Sequence, residues 1–209
     1  MPRSARIVVP GVAHHVIQRG NRRQDVFFSD DDKEFYLTLL YKWSHIGGVS
    51  ILAYCLMNNH VHLVGVPRSA GSLALTFGET HKRYAQVINA RREWTGHLWQ
   101  ARFSSYPLDD PYRYRAIRYV ELNPVRAKLV GRAEEYPWSS AGPRVREEQN
   151  ALLGRNPLGM TGPEWAAYLA EGLVEAETEL FREHANTSLP LGDEGFMKKI
   201  GMAAAGAMR

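Results

Sequence analysis

The chain has 209 residues, 44% of them hydrophobic and 23% charged, with a single cysteine, which is enough for a full core in one domain or one domain plus an appendage. One cysteine excludes a disulfide framework and a thiolate zinc site, and no apolar run approaches the roughly 20 residues that span a bilayer. The net charge of +4 hides an uneven spread: residues 1–146 carry 21 Lys/Arg against 12 Asp/Glu, and residues 147–209 carry 5 against 10.

A basic first part suits a polyanion partner, although solvated helix faces produce the same count. The opening stretch MPRSARIVVPGV has neither the apolar centre nor the cleavage site of a signal peptide, so cytoplasmic residence is expected. Residues 6–19 read as an extended segment with a bend at Pro10-Gly11. Residues 30–46 read as a helix, with Asp30 or Asp31 as N-cap and Gly47-Gly48 as stop. VSILAYCLM (49–57) and HVHLVGV (60–66) read as two strands joined at Asn58-Asn59, a hairpin signal. A second helix is expected from about Leu73 to Arg91, a strand over 97–107 and a third helix over 111–123.

That order gives an α+β fold, a ferredoxin-like antiparallel sheet with helices mainly on one face. The character changes near residue 142. The chain therefore divides into 1–142 and a C-terminal helical extension, 143–209, with an acidic helix over 163–184 and a Gly/Ala/Met-rich, mobile tail from 186.

Two features carry chemistry. His60 and His62 alternate on a strand, so both imidazoles point to one side and can converge on a metal. In a chain with eight histidines, however, two hydrogen-bonded sheet histidines explain the bare pattern as well. Tyr119 and Asn123 lie four apart on a helix and share a face, with Pro124 ending the helix at Asn123. Core packing is the alternative for Tyr119. Its phenol is about a thousandth ionised at pH 7, so it needs a nearby cation or base to act as a nucleophile.

The runs HHVIQRGNRRQDVFFSDDDKEFYLTLL, YCLMNNHVHLV, GHLWQARFSSYPL and RYVELNPVRAKLV resemble the single-tyrosine HUH transposases, more narrowly the REP-associated tyrosine transposases, across about residues 6–140. The resemblance implies His60 and His62 as metal ligands, Tyr119 as nucleophile and Asn123, where the superfamily often has glutamine, as third ligand. It implies Mg²⁺ or Mn²⁺, and nicking of single-stranded DNA beside a palindromic hairpin through a 5′-phosphotyrosine that a 3′-OH later resolves. Arg19, Asn21, Arg22 and Arg23 become candidates for reading a guide sequence. Lys82, Arg83, Arg91 and Arg102 become candidates for holding hairpin phosphates, and Arg118 and Arg126 for phosphates beside the tyrosine.

The expected partner is single-stranded or hairpin DNA of REP-like palindromes at the nucleoid, with the chain acting as a monomer or homodimer and with no membrane. A domesticated, non-cleaving binder of palindromic DNA is the alternative function. A histidine phosphoesterase is disfavoured, because position 64 is Val64 and no second H-x-T/S element is present. The acidic extension is expected to compete with DNA for the basic face.

Overall fold

The structure is a computed structural model, and it describes residues 6–154 and 158–201. The main elements in chain order are β1 (His14–Arg19), α1 (Asp30–Gly47), β2 (Val49–Met57), β3 (His60–Pro67), α2 (Ser72–Arg92), β4 (Ser104–Pro107) and α3 (Asp110–Glu121). The strands form one sheet in the order β2-β3-β1-β4, every neighbouring pair antiparallel. This is the arrangement of a split βαβ, ferredoxin-like fold.

Local chemistry sets the boundaries. Ser29, rather than either aspartate, caps α1 by accepting from the Asp32 amide, and three aspartates in the first turn suit the positive helix end. Gly48 ends it in the left-handed conformation, at φ 68°. The strand expected over 97–107 pairs as a ladder only at Ser104–Pro107; upstream, Leu98 and Trp99 are buried, and Trp99 bridges to Gly20. The helix expected over 163–184 is two, α6 (Gly162–Ala170) and α7 (Glu175–Thr187), broken where Gly172 turns at φ 69°. Among the described residues between α3 and α6 are the short helices α4 (Asn123–Arg126) and α5 (Ala141–Val145), with a 3-10 turn (Ala133–Glu135) between them.

Strand alternation divides the core between the two faces. Val16, Leu56, Val61 and Leu63 point to one face and pack with Tyr36, Leu40, Phe77 and Tyr84 of α1 and α2. Cys55, Met57 and Val64 point to the other, where Tyr119 and Val120 of α3 pack with Trp165 and Phe181 of the extension. Helices therefore cover both faces. His81 of α2 is buried in the first layer, where its Nε2 is 2.9 Å from the Tyr36 hydroxyl.

The extension is anchored through Glu121, whose side chain is fully buried. Its carboxylate accepts from Trp165 Nε1 at 2.7 Å, Ser140 Oγ at 2.5 Å and Arg144 Nε at 3.3 Å. Burying a carboxylate is tolerable only with this degree of pairing. The segment read as a tail from 186 instead completes α7, turns, and forms α8 (Glu194–Lys199). Within it the Leu191 amide donates to Pro107, and the Leu191 carbonyl accepts from Asp109. Residues 202–209 of that segment lie outside the described residues.

Candidate active site

β1 and β3 deliver three histidines to the face covered by α3. Ile17 sits opposite His62, and His15 opposite Val64, so His15 reaches His62 diagonally across the ladder. The His15 and His62 rings stack with centroids 5.2 Å apart, and His60 meets His62 edge-on at 5.0 Å. Burial, with smaller contributions from nearby positive groups, holds His60 down at about 4, His15 at about 3, and His62 well below the usual imidazole value. All three rings are neutral at pH 7.

Hydrogen bonds tie one nitrogen each of His60 and His62 and both nitrogens of His15. Asn59 donates its amide N–H to the Arg23 carbonyl at 2.9 Å, which turns its oxygen to His60 Nδ1 at 2.5 Å. His60 therefore donates from Nδ1 and keeps an unprotonated Nε2. His62 Nδ1 lies 3.0 Å from His15 Nε2, and His15 Nδ1 lies 2.7 Å from the Tyr106 hydroxyl.

Tyr119 comes to the same place from α3. Its ring centroid is 5.8 Å from His62, 5.6 Å from His15 and 4.7 Å from Phe181. The helix breaks at Leu122, one residue before the expected end, and α4 restarts with Asn123-Pro124. Asn123 spends its amide hydrogens on the Tyr119 and Val120 carbonyls, each at 3.1 Å. Its oxygen accepts from Arg126 at 2.8 Å. The Arg126 guanidinium also donates to the Tyr119 carbonyl at 3.0 Å and stacks 3.9 Å from the Tyr119 ring centre.

These groups line one cavity of about 570 Å³, shared by His60, His62, Tyr119, Asn123 and Arg126 with Arg19, Arg23, Arg102 and, from α7, Arg182 and Asn186. Asn21 and Arg22 stand beside it in a 3-10 turn (Asn21–Arg23) in which Arg22 and Arg23 both take positive φ. That backbone is unusual outside glycine and holds the two arginines outward. Gly20 permits it: a Cβ there would come within 2.3 Å of the Gln24 carbonyl oxygen.

The remaining basic candidates are elsewhere. Lys82, Arg83 and Arg91 lie on α2, across the sheet from the cavity, paired with Glu79, Glu79 and Asp32 respectively. Arg118 is outside the cavity lining: its side chain is 11% exposed and bound by Glu171 and Glu177 of the extension. His15, which is not among the residues singled out from the sequence, touches both His62 and Tyr119; the parity it shares with Ile17 and Arg19 on β1 was the available signal. Arg182 escaped because its acidic surroundings marked its helix as an appendage.

A cation would find two imidazoles with uncommitted Nε2 atoms and an amide oxygen shared with Arg126. Among the described residues no group of three His, Cys, Asp or Glu side chains could hold a metal. Also among them, no helix is long and apolar enough to cross a membrane.

A solved REP-associated tyrosine transposase bound to a REP hairpin superposes with a TM-score of 0.59 at 17% identity, covering 78% of this chain and 96% of that one. A candidate transposase from Deinococcus radiodurans R1 gives 0.41 at 19% identity, over 57% of this chain and 96% of that one. No curated protein matches. The family model described as "Transposase IS200 like" matches residues 8–123, more than half of the length, so this chain belongs to the IS200-like transposases, enzymes that cut and rejoin DNA.

Proposed function

We propose that the chain nicks and rejoins single-stranded DNA beside a palindromic hairpin, with Tyr119 as nucleophile. The convergence of His60, His62, Tyr119 and Arg126 on one cavity carries this reading. The Tyr119 phenol gives up its proton to solvent water as its oxygen attacks the scissile phosphorus, the bond to the upstream 3′ oxygen breaks, and that oxygen takes a proton from solvent and leaves as a hydroxyl. The 5′ end stays on the tyrosine, and a 3′-OH reverses the step to rejoin strands.

His60 and His62 would hold Mg²⁺ or Mn²⁺, with Asn123 as third donor. The ion supplies charge neutralisation at the phosphate oxygens. Arg126 places positive charge against the ring, and Arg19, Arg23 and Arg102 hold flanking phosphates. Because both histidines and the tyrosine belong to one chain, the reading includes a site complete in a monomer. The hairpin-bound solved structure of similar fold supports a REP-like palindrome as substrate, and a chromosomal substrate of that kind would place the action at the nucleoid.

A single-stranded hairpin oligonucleotide with its flanking sequence, incubated with Mn²⁺, should yield a protein–DNA adduct on a denaturing gel. Tyr119→Phe should abolish the adduct and leave hairpin binding within a few-fold. Adduct formation by that variant removes Tyr119 as nucleophile; tight binding without any adduct in the wild type replaces the reading with a non-cleaving binder.

A further inference from the structure

His15 is buried, belongs to neither the H-x-H pair nor the tyrosine helix, and sits in a chain of four hydrogen-bonding groups that begins outside the family's matched segment. The Tyr106 hydroxyl lies 3.2 Å from the Phe181 carbonyl of α7, and that carbonyl can only accept. The hydroxyl has one proton. If it goes to Phe181, the Tyr106 oxygen must accept from His15 Nδ1, 2.7 Å away. His15 Nε2 is then bare and accepts from His62 Nδ1 at 3.0 Å. His62 Nε2 is left without a proton. The opposite polarity would put a proton on His62 Nε2, where it would block a metal.

We propose that His15 is a positioning residue that holds His62 as its Nδ1–H tautomer, with the direction of the chain set by the Phe181 carbonyl through Tyr106. It is the counterpart of Asn59, which fixes His60 in the same tautomer from the hairpin turn. A ligating imidazole generally gives its second N–H to an acceptor that fixes ring and tautomer. Here the acceptor is another neutral imidazole, which needs an anchor of its own. The extension therefore reaches the candidate metal ligands through a backbone carbonyl, with no charged group involved. The inference rests on reading His62 as a metal ligand only for its consequence; the tautomer itself is a property of the metal-free chain.

The test uses the full chain. Nitrogen-15 NMR of the metal-free protein should show His62 protonated at Nδ1, and a His62 Nε2–H signal overturns the proposal whether or not metal binds. His15→Phe keeps an aromatic ring but removes the acceptor, and should give His62 a mixed tautomer and weaken Mn²⁺ binding, followed by electron paramagnetic resonance, by about 10- to 100-fold. His15→Gln restores an acceptor oxygen near the lost Nε2 and should recover most of both. Unchanged tautomer and Mn²⁺ affinity in His15→Phe, or a folded His15→Gln no better than His15→Phe, refutes the role. Absence of Mn²⁺ binding in the wild type, with His62 held at Nδ1–H, instead counts against the metal reading alone.

Discussion

Phe181 of α7 lies tilted against Tyr119 of α3, ring centroids 4.7 Å apart, and is itself fully buried. The acidic extension thus forms one wall of the slot that holds the candidate nucleophile, with His15 and His62 forming others. Phe181→Ala should cost about 3 kcal/mol or more of stability, the usual range for an emptied aromatic site. It should also slow adduct formation per folded molecule while hairpin binding is largely kept. Denaturant unfolding and a single-turnover adduct assay measure the two effects. Cleavage at the wild-type rate in the folded variant would show that Tyr119 does not need this wall.

Glu121 ties the extension to the sheet from beneath Tyr119. Glu121→Gln removes the charge that balances buried Arg144 and keeps the shape. It should destabilise by about 3 kcal/mol, the scale for leaving one member of a buried pair alone. Glu121 and Arg144 changed together to residues of similar volume should lose less than the two single changes summed. Additive losses in a thermal-melt cycle would mean that the pair does not interact.

The ferredoxin-like order was readable because each element has its own local signal: the aspartates that open α1 and the Gly47-Gly48 pair that closes it, Asn58-Asn59 between β2 and β3, and Asn123-Pro124 at the end of α3. That His60 shares a face with His62, and Tyr119 with Asn123, was legible for the same reason, since alternation and helical spacing fix which side chains point together. His15 was not, because its role depends on the register between β1 and β3, 47 residues apart in sequence. The layer formed by α6 and α7 was also hidden. Their exposed glutamates dominate the composition, while Trp165, Leu169 and Phe181, which do the packing, are few.

Deleting residues 147–209 is a poor test of whether the extension competes with DNA, since Trp165 and Phe181 belong to the core. The contacts suggest a cleaner one. Glu177 pairs with Arg115 and Arg118, and Glu171 with Arg118. Glu171→Gln with Glu177→Gln should release both arginines, tighten single-stranded DNA binding and steepen its salt dependence. Each new phosphate contact adds about 0.7 to the log–log slope. Unchanged affinity and slope would assign these pairs to packing alone.

Acid should destabilise the fold well before its carboxylates are protonated. Burial holds His14 and His60 at about 4, and His15 and His81 at about 3, against about 6.5 in the unfolded chain. Between those limits the unfolded state binds more protons, so stability is full above pH 7 and falls as pH drops from 6.5 towards 4. Each such histidine removes up to about 1.4 kcal/mol per pH unit. Denaturant midpoints from pH 8 to 5 should be flat and then decline, and His15→Gln should flatten the decline. Equal midpoints at pH 7 and 5 would contradict buried neutral rings.

Arg126 makes three contacts that a lysine cannot reproduce together: the Tyr119 carbonyl at 3.0 Å, the Asn123 side-chain oxygen at 2.8 Å and the Tyr119 ring face at 3.9 Å. Its flat guanidinium does all three because its donors are spread in a rigid fork, whereas an ammonium is a single point charge. Arg126→Lys keeps the net charge and should leave overall DNA affinity within a few-fold. It should lower the rate of adduct formation on the order of 100-fold, because the positive charge now fixed against the Tyr119 ring is no longer held there. The same change frees the Asn123 oxygen. If Asn123 is a metal ligand, Mn²⁺ affinity should hold or rise in Arg126→Lys and fall in Asn123→Ala. If Asn123 only carries Arg126, both variants should lose cleavage alike and neither should change Mn²⁺ affinity.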